Sequence, residues 1–268
     1  MIKQLQHNEI DKKKWDECIS HAANGLIYAY SWYLDIVSPE WDALVENDYE
    51  KVMPLTWRKK FGIAYLCQPP FSQQLGIFST DEITEESAES FLSHIPEKFR
   101  LIEINFNILN KLSFNHKKFS FFKTHLLNLN VTYSKLKEDY SENAHRNLKN
   151  ANQSCLSISD KIEPSQLIDM FRSNKGKEIS TLGKSDYDCL SVIMKECLER
   201  KLGYLYAVHI PAKEICAAAF FTKCNRKSVF LFSASLPVAR ANGAMTFLID
   251  SYIRENAGNE ITLDFEGS

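Results

Sequence analysis

The chain has 268 residues, a formal net charge of −2, an apolar fraction of 44% and a charged fraction of 25%. These values are ordinary for a folded globular protein and leave room for one large domain or two of usual size. They exclude a global electrostatic pull toward DNA or an acidic surface, the start Met1-Ile2-Lys3-Gln4-Leu5 is too polar for a signal peptide, and no apolar run reaches bilayer-spanning length.

Asp11 to Ala22 reads as a helix with Trp15, Cys18 and Ile19 on one stripe. Leu26 to Leu34 is dense in aromatics, which makes it core or the wall of a cleft, and a short helix starts at Ser31. Trp41 to Val45, Lys51 to Arg58 and Ile63 to Cys67 predict three strands of an antiparallel meander, with Asn47-Asp48 and Lys60-Phe61-Gly62 as turns. Gln68 to Gly76 is a polar connector stiffened by two prolines. Thr84 to Ile95 is a helix with its acids in the first turns, where the dipole favours them, and Leu101 to Phe106 and Lys118 to Leu129 supply further strands. Between Lys98 and Lys137 eight Lys/Arg stand against the single acid Glu103, either a solvated face or a groove for a phosphorylated substrate.

In residues 138 to 152 Ser141 can cap a helix in which Leu148 and Ala151 pack while Arg146 and Lys149 stay polar. Leu156 to Ile158 is a short strand, and Pro164 suits the first turn of a helix running to Arg172. Ser185 caps a helix with Leu190, Ile193, Met194, Cys197 and Leu198 on one stripe. Tyr204 to Ile210 and Glu214 to Lys223 form a hairpin around Pro211-Ala212-Lys213. Seven cysteines, an odd number without a Cys-x-x-Cys pair, read as reduced, buried thiols of a cytoplasmic protein. The seven histidines include none at metal-ligand spacing, so no metal is expected.

The last stretch organises the rest. Ser228 to Ala234 is a buried strand, Ser235 to Asn242 a loop, Gly243 to Asn256 a helix with Met245, Leu248, Ile249, Tyr252 and Ile253 on one stripe, and Ile261 to Glu266 an alternating strand. Gly243 lacks a Cβ, so the amides of the first helical turn could approach an anion closely, with Arg240 as a phosphate fork. Plain helix capping is the other reading of the same residues.

Arg240-Ala241-Asn242-Gly243-Ala244 resembles the Arg/Gln-x-x-Gly-x-Gly/Ala pyrophosphate loop of the GNAT acyltransferase superfamily. Asp264-Phe265-Glu266-Gly267 resembles the Asp-Phe-x-Gly strand of its Fem-like branch, tandem-GNAT enzymes that attach amino acids to peptidoglycan precursors from aminoacyl-tRNA. Met245 departs from the motif, and its side chain would crowd a coenzyme A pyrophosphate. Fem-like chains also continue past this strand into an aromatic, basic segment and a closing strand, which implies more chain beyond Ser268.

The resemblance implies an α/β (α+β) fold of two GNAT-like halves, residues 1–136 and 137–268, each a mixed, mostly antiparallel sheet flanked by helices. It implies a cytoplasmic acyl or aminoacyl transferase acting directly on an amine of a cell-envelope or polysaccharide precursor, with acyl-CoA or aminoacyl-tRNA as donor and tRNA as a possible partner. The donor would sit at Arg240, Ala241, Asn242, Gly243 and Ala244, with Ser233 and Ser235 at the adjoining strand end. Asp264 and Glu266 would serve as base or acceptor contacts, as their strand edge follows the donor helix, or else are solvent-facing or turn-capping carboxylates. Gln73 and Gln74 lie in a Pro-rich stretch like one near the family's acceptor site, and Arg146 and Lys149 in a helix like the basic one that opens the family's second half. An acyl-CoA-dependent N-acetyltransferase acting on a small molecule, and a non-catalytic binding protein that keeps the fold, are the alternatives.

Overall fold

The computed structural model describes residues 1–112, 120–179, 182–211 and 214–267. The beginning of the strand expected from Lys118, the turn residues Ala212 and Lys213, and Ser268 lie outside them. The chain divides into two compact units, Met1–Phe122 and Lys123–Ser268.

In the N-terminal unit Asp11 starts helix α1 (Lys12–His21) because its carboxylate accepts the amides of Lys13 and Lys14 at 3.1 and 3.2 Å. The stripe of Trp15, Cys18 and Ile19 is buried as predicted. Trp15 meets Trp41 edge-on at 4.7 Å, and its indole N–H donates to the Ala29 carbonyl at 2.7 Å, so the aromatic segment that contains α2 (Ser31–Val37) is core. Strand β1 (Ile2–Leu5), too polar to stand out in the sequence, pairs with β2 (Asp42–Glu46), which pairs with β3 (Lys51–Leu55). The expected strand Lys51 to Arg58 is two strands. The chain breaks at the buried Thr56, whose hydroxyl donates to the Cys67 carbonyl at 2.8 Å, and β4 (Trp57–Lys60) leaves to pair with β5 (Ile63–Leu66) in a separate sheet. Short β6 (Phe78–Ser79) completes the first sheet beside β3. After α3 (Glu85–Ser93), β7 (Phe99–Ile102) joins β5 in parallel. The strand expected to reach Phe106 stops at Ile102, and Phe106 makes only an isolated bridge to Leu75.

The C-terminal unit is built on one six-stranded sheet ordered β8-β13-β12-β11-β10-β9. Its first strand, β8 (Leu126–Asn128), is followed by α4 (Tyr133–Glu138), α5 (Glu142–Gln153) capped by Ser141, β9 (Ser157–Ser159), α6 (Pro164–Ser173) and α7 (Lys184–Glu199). α7 is capped at Gly183, not Ser185, and Asp186 accepts the Gly183 amide at 2.7 Å. β10 (Gly203–His209), β11 (Ile215–Cys224) and β12 (Lys227–Ser235) run antiparallel, then come α8 (Pro237–Asn242), α9 (Ala244–Asn256) and β13 (Thr262–Asp264). The units part at Phe122, earlier than the junction expected near Leu136, because β8 lies antiparallel to β13 and so belongs to the second sheet.

Two features fix α9 on this sheet. Tyr252 stacks on Phe221 with ring centroids 3.8 Å apart, and its hydroxyl meets the Ser228 hydroxyl at 2.7 Å. Asp250, 3% exposed, accepts from the Tyr133 and Tyr140 hydroxyls at 2.8 and 3.0 Å and from Arg254 at 3.1 Å, which ties α4 and the start of the α5 cap to the helix. A buried carboxylate is tolerated here because three donors replace its water. The thiols of Cys18, Cys197 and Cys216 are buried, but Cys155 is exposed, so the expectation of uniformly buried cysteines is corrected there.

Candidate functional site

β12 and β13 are the one parallel pair in the second sheet, in register Lys227–Thr262, Ser228–Leu263 and Val229–Asp264. The pairing ends at Val229 and Asp264, where β13 stops, and β12 continues to Ser235 with no strand on that side among the described residues. This continuing half of β12 also carries a β-bulge: Phe221 pairs with Phe230 and Phe220 with Phe232, leaving Leu231 as the extra residue. The bulge puts Phe230 and Phe232 on opposite faces, although a regular strand would keep them together. Phe230 packs 5.2 Å from Phe221 on the α9 side, and Phe232 lies 4.7 Å from Phe171 of α6. Past the bulge Ser233 and Ser235 stand opposite Ala219 and Ala217, half-buried on the α9 side, next to this unpaired backbone.

The segment expected as a loop from Ser235 to Asn242 is mostly helical. Pro237, with its fixed φ and no amide hydrogen, occupies the first position of α8. Gly243 then takes φ +71°, ending α8 and starting α9, and its amide donates to the Ala239 carbonyl. A Cβ there would lie 2.2 Å from the Asn147 carbonyl oxygen of α5. The side of Gly243 where a Cβ would stand is thus filled by the backbone of α5, and the close approach of that helix is what the missing side chain admits. The Ala244 amide is already taken by the Asn242 side chain at 3.0 Å. Asn147 and Asn150 secure the contact by donating to Thr246 Oγ1 at 3.2 Å and to the Ala241 carbonyl at 3.5 Å. Among the described residues the amides of Met245 and Thr246 are the donors left in the first turn. Arg240 is exposed on α8, and the Met245 side chain is half-buried against the core.

Asp264 and Glu266 do not project from an exposed edge: they are 7% and 6% exposed. The strand stops at Asp264, Glu266 adopts φ +59°, and the expected alternation ends with it. Asp264 Oδ1 accepts the Thr124 hydroxyl at 2.5 Å and the Glu266 amide at 2.7 Å, so the carboxylate closes the turn that ends β13. It also acts on Lys227, whose pKa burial draws below its ordinary value while the Asp264 charge opposes the shift.

Arg146 is exposed on α5 and donates to Asn143 at 2.5 Å. Lys149 lines a groove of about 420 Å³ with Lys137, His145, Leu148, Asn152 and Gln153. His145 did not stand out in the sequence, and Lys137, the last cation of the stretch that begins at Lys98, comes to line the same groove as Lys149. Gln73 and Gln74 belong to the N-terminal unit, in the connector between β5 and β6, where Gln68 holds the loop by donating to the Ser72 carbonyl and accepting the Asn105 amide at 3.0 Å. Among the described residues no cluster of His, Cys, Asp or Glu is disposed to hold a metal, and no helix is long and apolar enough to cross a membrane.

No family model matches the chain, and no curated protein matches it. Solved structures do. FemX superposes with a TM-score of 0.64 at 11% identity, over 99% of this chain and 89% of its own. A conserved protein of unknown function from Bacteroides thetaiotaomicron gives 0.55 at 9% identity, covering 96% and 88%. L-PGS from Bacillus licheniformis gives 0.52 at 9% identity, covering 95% and 75%. The chain shares the fold of FemX.

Proposed function

We propose that the protein is a GNAT-type transferase that moves an aminoacyl or acyl group to an amine of a cell-envelope or polysaccharide precursor, in the cytoplasm, without a covalent enzyme intermediate. The observation that carries this reading is the stretch of β12 beyond Val229, which has no strand beside it on the β13 side among the described residues and carries the bulge at Leu231. Unpaired strand amides and carbonyls can hold an extended donor arm as a further strand and offer N–H groups to a developing oxyanion. The acceptor amine attacks the donor carbonyl carbon, the new C–N bond forms, the C–O or C–S bond breaks, and the leaving hydroxyl or thiol departs with the amine's proton. Asp264 shapes the end of β13 beside this opening, since its Oδ1 is committed to Thr124 and Glu266.

The turn at Gly243 supports one donor over the other. With Asn147 against the glycine and Asn242 on the Ala244 amide, a pyrophosphate has little of that turn to occupy. This favours aminoacyl-tRNA, for whose backbone Lys137, Lys149 and Arg146 offer cations on α4 and α5. Arg240 with the Met245 and Thr246 amides supports the second reading, an acyl-CoA-dependent N-acetyltransferase. The test supplies charged tRNA, or acetyl-CoA, together with amine-bearing nucleotide-linked envelope precursors, and detects the amide by mass. Product that requires charged tRNA and is insensitive to coenzyme A is expected. Transfer from acetyl-CoA alone selects the second reading. No product, with no rise in melting temperature from any donor or acceptor, overturns both and leaves a binding protein with this fold.

A further inference from the structure

The β4–β5 hairpin of the N-terminal unit turns through two residues, Phe61 and Gly62, at φ +50° and +81°. Positive φ at both positions is the backbone of a type I′ turn, which favours Asn-Gly and penalises a bulky first residue. Phe61 nevertheless occupies that first position and is 93% exposed, and the neighbouring Ile63 is 54% exposed. The tip therefore carries both backbone strain and exposed apolar surface, two costs that persist where a site needs them.

Cations stand directly behind the tip. Arg58, Lys59 and Lys60 are exposed, and because neighbouring strand positions alternate they flank both faces of the hairpin. At roughly 3.4 Å per residue they lie about 3 to 10 Å behind Phe61, close to the depth of about 5 to 10 Å at which interfacial segments bury their apolar side. On the inner side a cavity of about 410 Å³ is lined by Trp57, Lys59, Gly62, Ile63, Ala64, Lys98 and Arg100. The indole N–H of Trp57 is buried there with no hydrogen-bond partner among the described residues. Lys98 is held by Asp42 at 2.7 Å, whereas Arg58, Lys59, Lys60 and Arg100 make no ion pair among the described residues.

From this arrangement we propose that the β4–β5 hairpin docks on an anionic lipid surface, Phe61 and Ile63 entering the apolar layer while Arg58, Lys59, Lys60 and Arg100 meet headgroup phosphates. Edge-strand lysines alone would be explained as a guard against strand pairing. That guard accounts for the cations, disfavours a second copy of the chain as occupant, and gives no reason for a strained, exposed phenylalanine.

The test is sedimentation of the full chain with vesicles of phosphatidylcholine alone and of phosphatidylcholine mixed with phosphatidylglycerol, at low and high salt. Binding is expected only to the anionic vesicles and is weakened by salt. Phe61→Asn restores the residue the turn prefers, so the variant stays folded, and it weakens binding roughly tenfold, as the loss of one buried aromatic side chain requires. Arg58→Gln with Lys60→Gln removes binding. Failure of the native chain to bind anionic vesicles, or binding untouched by Phe61→Asn, overturns the proposal. So does a melting shift in inorganic phosphate that Arg100→Gln abolishes and Phe61→Asn leaves intact, if vesicle binding is absent, since the site then serves a free anion.

Discussion

Replacing Gly243 by alanine separates helix packing from every other role of the motif. Two costs add. A non-glycine residue at φ +71° pays on the order of 1 kcal/mol for the left-handed backbone. The new Cβ would fall 2.2 Å from the Asn147 carbonyl oxygen, and because that atom is backbone it cannot swing aside. α5 must move away, which loosens the bonds from Asn147 to Thr246 and from Asn150 to Ala241, each contributing about 1 kcal/mol. Together these give about 3 kcal/mol of destabilisation, read as a shift in the urea midpoint at unchanged slope. Gly258→Ala is the control: Gly258 has φ +83° with nothing within 4 Å of its virtual Cβ, so it should lose only the backbone share of about 1 kcal/mol. Equal losses at the two glycines would refute the close approach of α5 to the start of α9.

Other expectations follow from single residues. Burial raises the Tyr252 pKa from its ordinary value near 10 to about 12. The folded state then keeps a proton that the unfolded chain releases, so this contribution to stability is complete below pH 10 and falls as pH rises from about 10 to 12, by up to about 1.4 kcal/mol per pH unit. Tyr252→Phe keeps the ring stack, loses the Ser228 bond and about 1 kcal/mol at neutral pH, and flattens that decline in denaturant melts taken across the pH range. Cys155, being exposed, should react with a thiol reagent in the native state, whereas Cys197, its pKa pushed up to about 12 by burial, should react only on unfolding; mass mapping of the labelled sites checks this. Arg240→Ala should leave stability within about 0.5 kcal/mol, the usual range for an exposed site; on the acyl-CoA reading it raises the KM for acetyl-CoA several-fold, and an unchanged KM would remove Arg240 from that donor site.

Much of the fold was legible because the periodic signals were local. The stripes at Trp15, Cys18 and Ile19 and at Leu190, Ile193 and Met194 fixed helices, and the apolar runs of the last three long strands fixed the hairpins. Where the reading failed, the decisive partner was far away in the chain. β1 is polar and exists through pairing with β2, while the strand expected from Lys118 to Leu129 is found over Leu126–Asn128, the residues that pair with β13. The break at Thr56 depends on a bond to Cys67. Gly243 could be read equally as anion room or as helix capping, and only the position of Asn147 distinguishes these from helix packing. For Asp264 and Glu266 the expected alternation runs to Glu266, two residues beyond the end of β13, and of the readings weighed it is turn capping that the bond from the Glu266 amide to Asp264 matches. The bulge at Leu231 leaves no mark in the composition of Ser228 to Ala234, since it is a matter of register with β11.

The bond from Thr124 to Asp264 spans 140 positions of sequence. Contacts so distant form late, because the intervening chain must first lose its freedom. The central hairpins and α9 can therefore assemble while β8 still waits for its neighbour, and the mouth beside β12 acquires its border last. During synthesis the unit would pass through a stage with an open sheet edge, before Leu127 and Leu129 join the core. That stage is when a chaperone or a premature strand partner would find it.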